Sequence, residues 1–136
     1  MFEILEHTAD IGFRARAADL RGLFEAAAHA LVAVAMDTGN ASPVKPIVIS
    51  VTGDSKESLL VNWLNEILYC LDGERLAIAR CEVREMTATS VTGVAIGEPR
   101  DPVRHEPRLV VKGATYHQLK IEQDERGWSC EVYLDV

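Results

Sequence analysis

The sequence is short of several things, and each shortage excludes a class of protein. Cysteine occurs three times in 136 residues, at Cys70, Cys81 and Cys130. Widely spaced and odd in number, these thiols form no disulfide framework and no Cys-x-x-Cys metal pair, so they are expected to be reduced packing residues. The apolar runs fall far short of the roughly 20 residues a membrane-spanning helix needs, so no membrane association is expected. The opening Met1-Phe2-Glu3-Ile4 has neither a basic region nor a secretory apolar stretch, and a cytoplasmic location is expected. Positive charge is scarce: 14 Lys+Arg face 21 Asp+Glu, for a net charge of −7. That balance argues against a domain that holds nucleic acid by neutralising many phosphates. Nucleotide-binding glycine loops, His-Glu-x-x-His helices and Gly-x-Ser-x-Gly elbows are missing as well.

What is present suits one globular domain over residues 1–136. Hydrophobic residues make up 48% and charged residues 26%, and a chain of this length buries enough surface to fold without metal or disulfide. Phe2 to His7 is a short β-prone run, and Thr8-Ala9-Asp10 reads as a turn. Ile11 to Ala17 then alternates, with Ile11, Phe13, Ala15 and Ala17 on one face, the period of a half-buried strand. Asp19 is a candidate N-cap for an amphipathic helix running to about Met36, with an Ala-rich exposed face. Ile47 to Thr52 reads as a strand.

Asp54 and Glu57 have the spacing of a capping box for a second helix. Its stripe is Leu59, Leu60, Trp63, Leu64, Ile67, Leu68 and Leu71, with Gly73 as the C′ stop. Ala77 to Glu85 and Thr87 to Ile96 suggest a hairpin, and Gly97 to Pro107 a functional or mobile loop. Leu119 to Gln123 and the alternating Trp128, Cys130, Val132 and Leu134 complete the pattern. Two helices among six to eight strands, without βαβ alternation, predict an α+β layered sandwich. Its sheet is mostly antiparallel, with both amphipathic helices on one side.

The polar residues that could carry chemistry are scattered. Asp10 and Asp135 sit at strand ends with polar-face parity. Two carboxylates brought together repel unless they share a cation or a proton, and oxygen donors favour a hard ion such as Ca²⁺, Mg²⁺ or Mn²⁺. Val136, one residue further, places a third oxygen donor within reach. The competing reading is that Asp10 caps a turn and Asp135 is merely solvated. His7, three residues before Asp10, has three possible roles: orienting it, ligating, or bonding the turn. His117, after Tyr116, reads as a half-buried imidazole at a strand entry. Lys112 ends the run Leu109-Val110-Val111; it either snorkels from a sheet edge or holds an anionic group. His29 and His105 read as incidental, and Trp63 and Trp128 as core.

Four blocks carry a resemblance. The run Phe2-Glu3-Ile4-Leu5-Glu6-His7-Thr8-Ala9-Asp10-Ile11-Gly12-Phe13-Arg14-Ala15 resembles the start of the archease family. Leu59 to Tyr69, Val111 to Ile121 and the closing Leu134-Asp135-Val136 resemble its later blocks, in the family's order. Gly113 stands where the family more often has Ala, and Ala18 where Gly commonly precedes the first helix.

The resemblance implies a small, non-enzymatic α+β partner of an RtcB-type RNA ligase. Such a partner promotes guanylylation of the ligase's active-site histidine and multiple turnover in tRNA splicing or RNA repair, meeting RNA only through the ligase. It also implies a divalent metal held by Asp10, Asp135 and Val136, with Lys112 important for activation; His7 and His117 stand beside these only as candidate supporting residues by their positions in the sequence. Two competing readings are a stand-alone metal-dependent hydrolase or phosphoesterase, with His7 as its base, and a chaperone-like or RNA-binding adaptor.

Overall fold

Two antiparallel sheets and two helices account for the chain, in a computed structural model that describes residues 1–6 and 11–136, Glu6 through its backbone alone. The first sheet has the order β1 (Phe2–Glu6), β2 (Ile11–Ala17), β8 (Gly127–Asp135). Along the free side of β8 lie the short β6 (Gly113–Ala114) and β7 (Lys120–Asp124). The second sheet has the order β3 (Lys45–Thr52), β5 (Ser90–Pro99), β4 (Leu76–Met86). The fold is thus the expected α+β sandwich, with its strands divided between two sheets.

Alternation fixes the register of the first sheet. Phe13, Ala15, Cys130, Val132 and Leu134 are buried on its inner face, paired as Phe13–Val132 and Ala15–Cys130. On the outer face one row reads Glu3, Arg14, Glu131 across β1, β2 and β8. Arg14 donates to both carboxylates, at 2.6 and 2.8 Å, an opposite-charge row that favours this register over a one-residue slip. Gly12 faces Tyr133, whose ring would lie 2.8 Å from any added Cβ.

Helix α1 (Leu20–Ala35) starts where Asp19 accepts the Gly22 N–H at 2.7 Å, as the sequence indicates. Ala28 and Ala30 depart from the exposed Ala-rich face expected, while Ala27 is buried as its spacing from Leu23, Phe24 and Leu31 predicts. Ala27, Ala28 and Ala30 are fully buried, because α1 packs against β1, β2 and β8 of one sheet and also against β4 of the other. A helix wedged between two sheets needs small residues where the second sheet approaches. The side chains of Arg21, Glu25 and His29, one turn apart, meet the edge of β4. Arg21 donates to the Arg84 carbonyl, while Glu25 and His29 accept the N–H groups of Val83 and Cys81 at 2.8 and 3.0 Å. An edge strand whose polar backbone is occupied in this way is not free to pair with another chain.

Helix α2 (Lys56–Asp72) packs against all three strands of the second sheet and against β6 and β7. The anticipated stripe is buried throughout, and Trp63 donates its indole N–H to the Phe24 carbonyl at 2.9 Å. The cap lies one residue later than the Asp54–Glu57 reading. Ser55 accepts the Ser58 N–H at 3.0 Å, and the Ser58 hydroxyl accepts the Ser55 N–H at 3.1 Å. Gly73 is the C-cap itself, with right-handed φ −75°, and the left-handed position falls on Arg75 (φ 55°). Gly73 is required instead by the Tyr69 ring, 2.6 Å from where a Cβ would sit. The hairpin strands run past their anticipated ends, to Met86 and Pro99.

Neither helix has a basic residue in its last turn, and the segment after β5 supplies the missing charge. Arg100 donates to the Leu71 carbonyl of α2 at 3.2 Å, and Arg108 to the Ala33 carbonyl of α1 at 3.0 Å. The N–H groups of Arg108 and Leu109 reach Ala35 and Val34 at 2.9 and 3.3 Å. Residues 100–112 therefore act as a shared C-terminal cap for both helices. His105 is fully buried beneath this segment, its Nδ1 accepting the Asp101 N–H at 2.9 Å and its Nε2 3.0 Å from Glu98 Oε1. The Ser42 N–H, with the Arg104 guanidinium nearby, holds the Glu98 carboxyl below the usual carboxylate range. The three thiols are free and buried; burial pushes Cys70 up to about 11, Cys130 up to about 12 and Cys81 further. They are packing residues, as expected.

Candidate functional site

The sequence candidates that fall among the described residues gather at one end of the first sheet. β8 runs out to Asp135, and the segment carrying Lys112 returns beside it. The Lys112 N–H donates to the Asp135 carbonyl at 2.7 Å, and Gly113 pairs with Asp135 in register. On the other side of β8, the last pair of the β2 ladder is Ile11 with Leu134. Lys112, Asp135 and Val136 are all exposed. The side chains of Lys112 and Asp135 make no hydrogen bond or ion pair within the described residues. His7 and Asp10 lie outside the described residues.

The position of Lys112 is set by neighbours as well as by sequence. Asn65 on α2 accepts the Ala114 N–H through Oδ1 at 2.9 Å, pinning β6 to the helix. One residue on, Thr115 donates its N–H and its hydroxyl to the Tyr133 carbonyl at 3.1 and 3.0 Å. The Thr115 hydroxyl in turn accepts the His117 N–H at 3.2 Å. His117 proves exposed rather than half-buried, its ring edge-on to Tyr133 at 6.3 Å. The turn closes through Gln118 with φ 53°, a conformation uncommon outside glycine. A backbone tied at this many points holds β6 and Lys112 in fixed relation to the end of β8.

Asn65 was not singled out from sequence, although a signal was available. Asn62 and Asn65 lie three apart inside a helix, where asparagine is a poor helix former unless its amide has other work. Asn62 donates to the Thr52 carbonyl at 2.8 Å, so each has such a partner. His29 and His105 also prove to be more than incidental, as backbone acceptors. Trp63 is core as expected, while Trp128 is half-buried with Lys56 Nζ 5.7 Å above its ring.

No group of three or more His, Cys, Asp or Glu side chains with metal-binding geometry occurs among the described residues. The donor chemistry nonetheless suits a hard cation. Asp135 offers a solvent-facing carboxylate without a side-chain partner among the described residues, and the three thiols are buried. No helix among the described residues is long and apolar enough to cross a membrane.

The arrangement defines a class first: a two-sheet α+β sandwich with an exposed carboxylate and lysine joined at one sheet end. Comparison with known proteins then narrows it. Residues 2–136 match the archease protein family (MTH1598/TM1083). Protein archease of Methanosarcina acetivorans is 37% identical, over 99% of this chain and 95% of the relative. That of Sulfurisphaera tokodaii is 39% identical, over 99% and 98%. The solution structure of Methanobacterium thermoautotrophicum protein 1598 superimposes with a TM-score of 0.85 at 33% identity, covering 99% of this chain and 98% of that one. The chain belongs to the archease family.

Proposed function

We propose that this protein is a non-catalytic activator of an RtcB-type RNA ligase, promoting guanylylation of the ligase's active-site histidine by GTP and so its repeated turnover. The observation that carries this reading is family membership across residues 2–136. The junction of Lys112 with Asp135 supports it, since both side chains face solvent and are available to a partner. Asp135 and Val136, with Asp10, would hold a divalent hard ion (Ca²⁺, Mg²⁺ or Mn²⁺), which supplies concentrated positive charge when bound. Asp135 lies at the end of β8, where the β2 ladder closes on the pair Ile11–Leu134.

The chain's own residues then have separate tasks. Asp135 holds negative charge at the tip of β8, and Lys112 places an ammonium group beside it for an oxyanion of the ligase–nucleotide complex. Asn65 and Thr115 keep the two from drifting apart, because charge placed before the reaction costs no reorganisation during it. Its place of action is the cytoplasm, in tRNA splicing or RNA repair.

The test is direct. The cognate ligase, GTP and a divalent ion are combined, and covalent nucleotide transfer is measured with and without this protein. Stimulation is expected, with loss on Asp135→Ala and on Lys112→Ala. Unchanged transfer on adding the wild-type protein would falsify the proposal. Turnover of a generic phosphoester by the protein alone would favour a hydrolase instead, and chelator-insensitive activity an adaptor.

A further inference from the structure

A cavity of about 280 Å³ opens beneath the segment that caps the two helices, its lining reaching as far as Val111. Its cationic part comes from Arg75, Arg100 and Arg108, and its apolar part from Pro107, Leu109 and Val111. Asp72 is the sole carboxylate in the lining, 3.5 Å from Arg100.

The guanidinium groups differ in what they have left to offer. Arg100 is largely buried and engaged with Leu71 and Asp72. Arg108 gives one N–H to Ala33 and stands 4.0 Å from Asp37. Each guanidinium has five N–H donors, so both retain donors for a further acceptor. The Arg75 side chain has no hydrogen bond or ion pair within the described residues. Its backbone is nevertheless held in the left-handed region (φ 55°), its carbonyl accepting the Arg100 N–H at 2.9 Å. A non-glycine residue held there persists only where its surroundings fix it. Arg75 thus adds a cation, unpartnered among the described residues, to a lining that already contains two more.

We propose that this cavity binds a small organic anion, a phosphoryl or carboxylate group on a compact apolar body. Guanidinium forks match the paired oxygens of either group. The proline, leucine and valine part of the lining takes up the carbon skeleton, as apolar linings with few placed polar groups do elsewhere. Inorganic phosphate would leave that part wet, and a neutral hydrocarbon would leave the cations unmatched.

The test uses the whole chain, ¹⁵N-labelled, titrated separately with phenyl phosphate, benzoate, inorganic phosphate and benzyl alcohol. Saturable shifts are expected at the amides of Arg75, Leu109 and Val110 with at least one of the first two probes. The tighter of these names the preferred oxyanion. Inorganic phosphate and benzyl alcohol should each bind at least about tenfold more weakly. Arg75→Gln, which removes a side chain that holds nothing in the fold, should weaken binding roughly tenfold at an unchanged melting temperature. The proposal is overturned by any of three results: no saturable shift with phenyl phosphate or benzoate, Arg75→Gln binding as well as wild type, or either control matching the anions.

Discussion

Single side chains decide how this molecule responds to pH and to small changes in volume. His29 accepts a backbone N–H through Nε2, and burial lowers its pKa below the ordinary imidazole value of 6.5. Its neutral form is therefore the folded form. In the window from that lowered value up to about 6.5 the unfolded chain binds more protons, so stability rises with pH and levels off above it. Urea unfolding between pH 5 and 8 should show this slope in the wild type and a weaker one in His29→Gln; identical slopes would remove His29 as its source. Glu98 adds a second loss at lower pH, since a carboxyl with a depressed pKa stabilises above the unfolded value of 4.5 and stops doing so as it protonates. Gly93 is a matter of space. A Cβ there would lie 2.3 Å from the Glu82 carbonyl and 2.7 Å from the ring of the fully buried Trp63. Gly93→Ala should cost about 1–3 kcal/mol by overpacking, read as a lower urea midpoint with a shifted tryptophan emission.

At the level of elements, what was readable depended on whether the relevant signal was local. Both helices and β2 follow from periodicity, because burial on one face imposes 3.6- or 2-residue spacing directly. The α2 cap lies one residue beyond Asp54, since Asp54 and Ser55 are adjacent cap formers and only the reciprocal Ser55–Ser58 bonds choose between them. Ser55→Ala should thus cost about 1 kcal/mol, while Asp54→Ala costs less; equal losses in thermal melts would restore the earlier assignment. The segment 100–112 was legible only as a loop. Its arginines cap helices that end tens of residues earlier in the chain, a partnership that no local pattern encodes. The same holds for Asn65, whose bond to Ala114 spans 49 residues. Asn65→Ala should lose about 1 kcal/mol and speed amide exchange at Ala114, with slower exchange at the α2 core unaffected. Of the candidate site, Lys112, Asp135 and Val136 could be named from the sequence through resemblance. What sequence could not supply was the register that sets Gly113 opposite Asp135.

For the whole molecule, the division of labour between the core and the Lys112–Asp135 end makes folding and activation separable. Trp63, Phe13, Phe24 and the leucines of both helices other than Leu20 are fully or nearly fully buried in one continuous core. Lys112 and Asp135 lie outside that core, and among the described residues their side chains hold nothing else in place. Surface substitutions of this kind change stability by about 0.5 kcal/mol or less. Asp135→Ala and Lys112→Ala should accordingly melt within a few degrees of the wild type. If they share one task at the ligase, their effects on nucleotide transfer should also fail to add, since residues that act as a unit lose the whole function with either member. The double variant should then stimulate no less than the weaker single variant. Measuring ligase guanylylation across wild type, both single variants and the double variant distinguishes this from two independent contacts, for which the losses multiply. Gly93→Ala supplies the contrast: it sits in the core, so at temperatures where it remains folded it should melt early yet stimulate the ligase in full. A Gly93→Ala protein that is folded but inactive would mean that the core and the Lys112–Asp135 end are coupled after all.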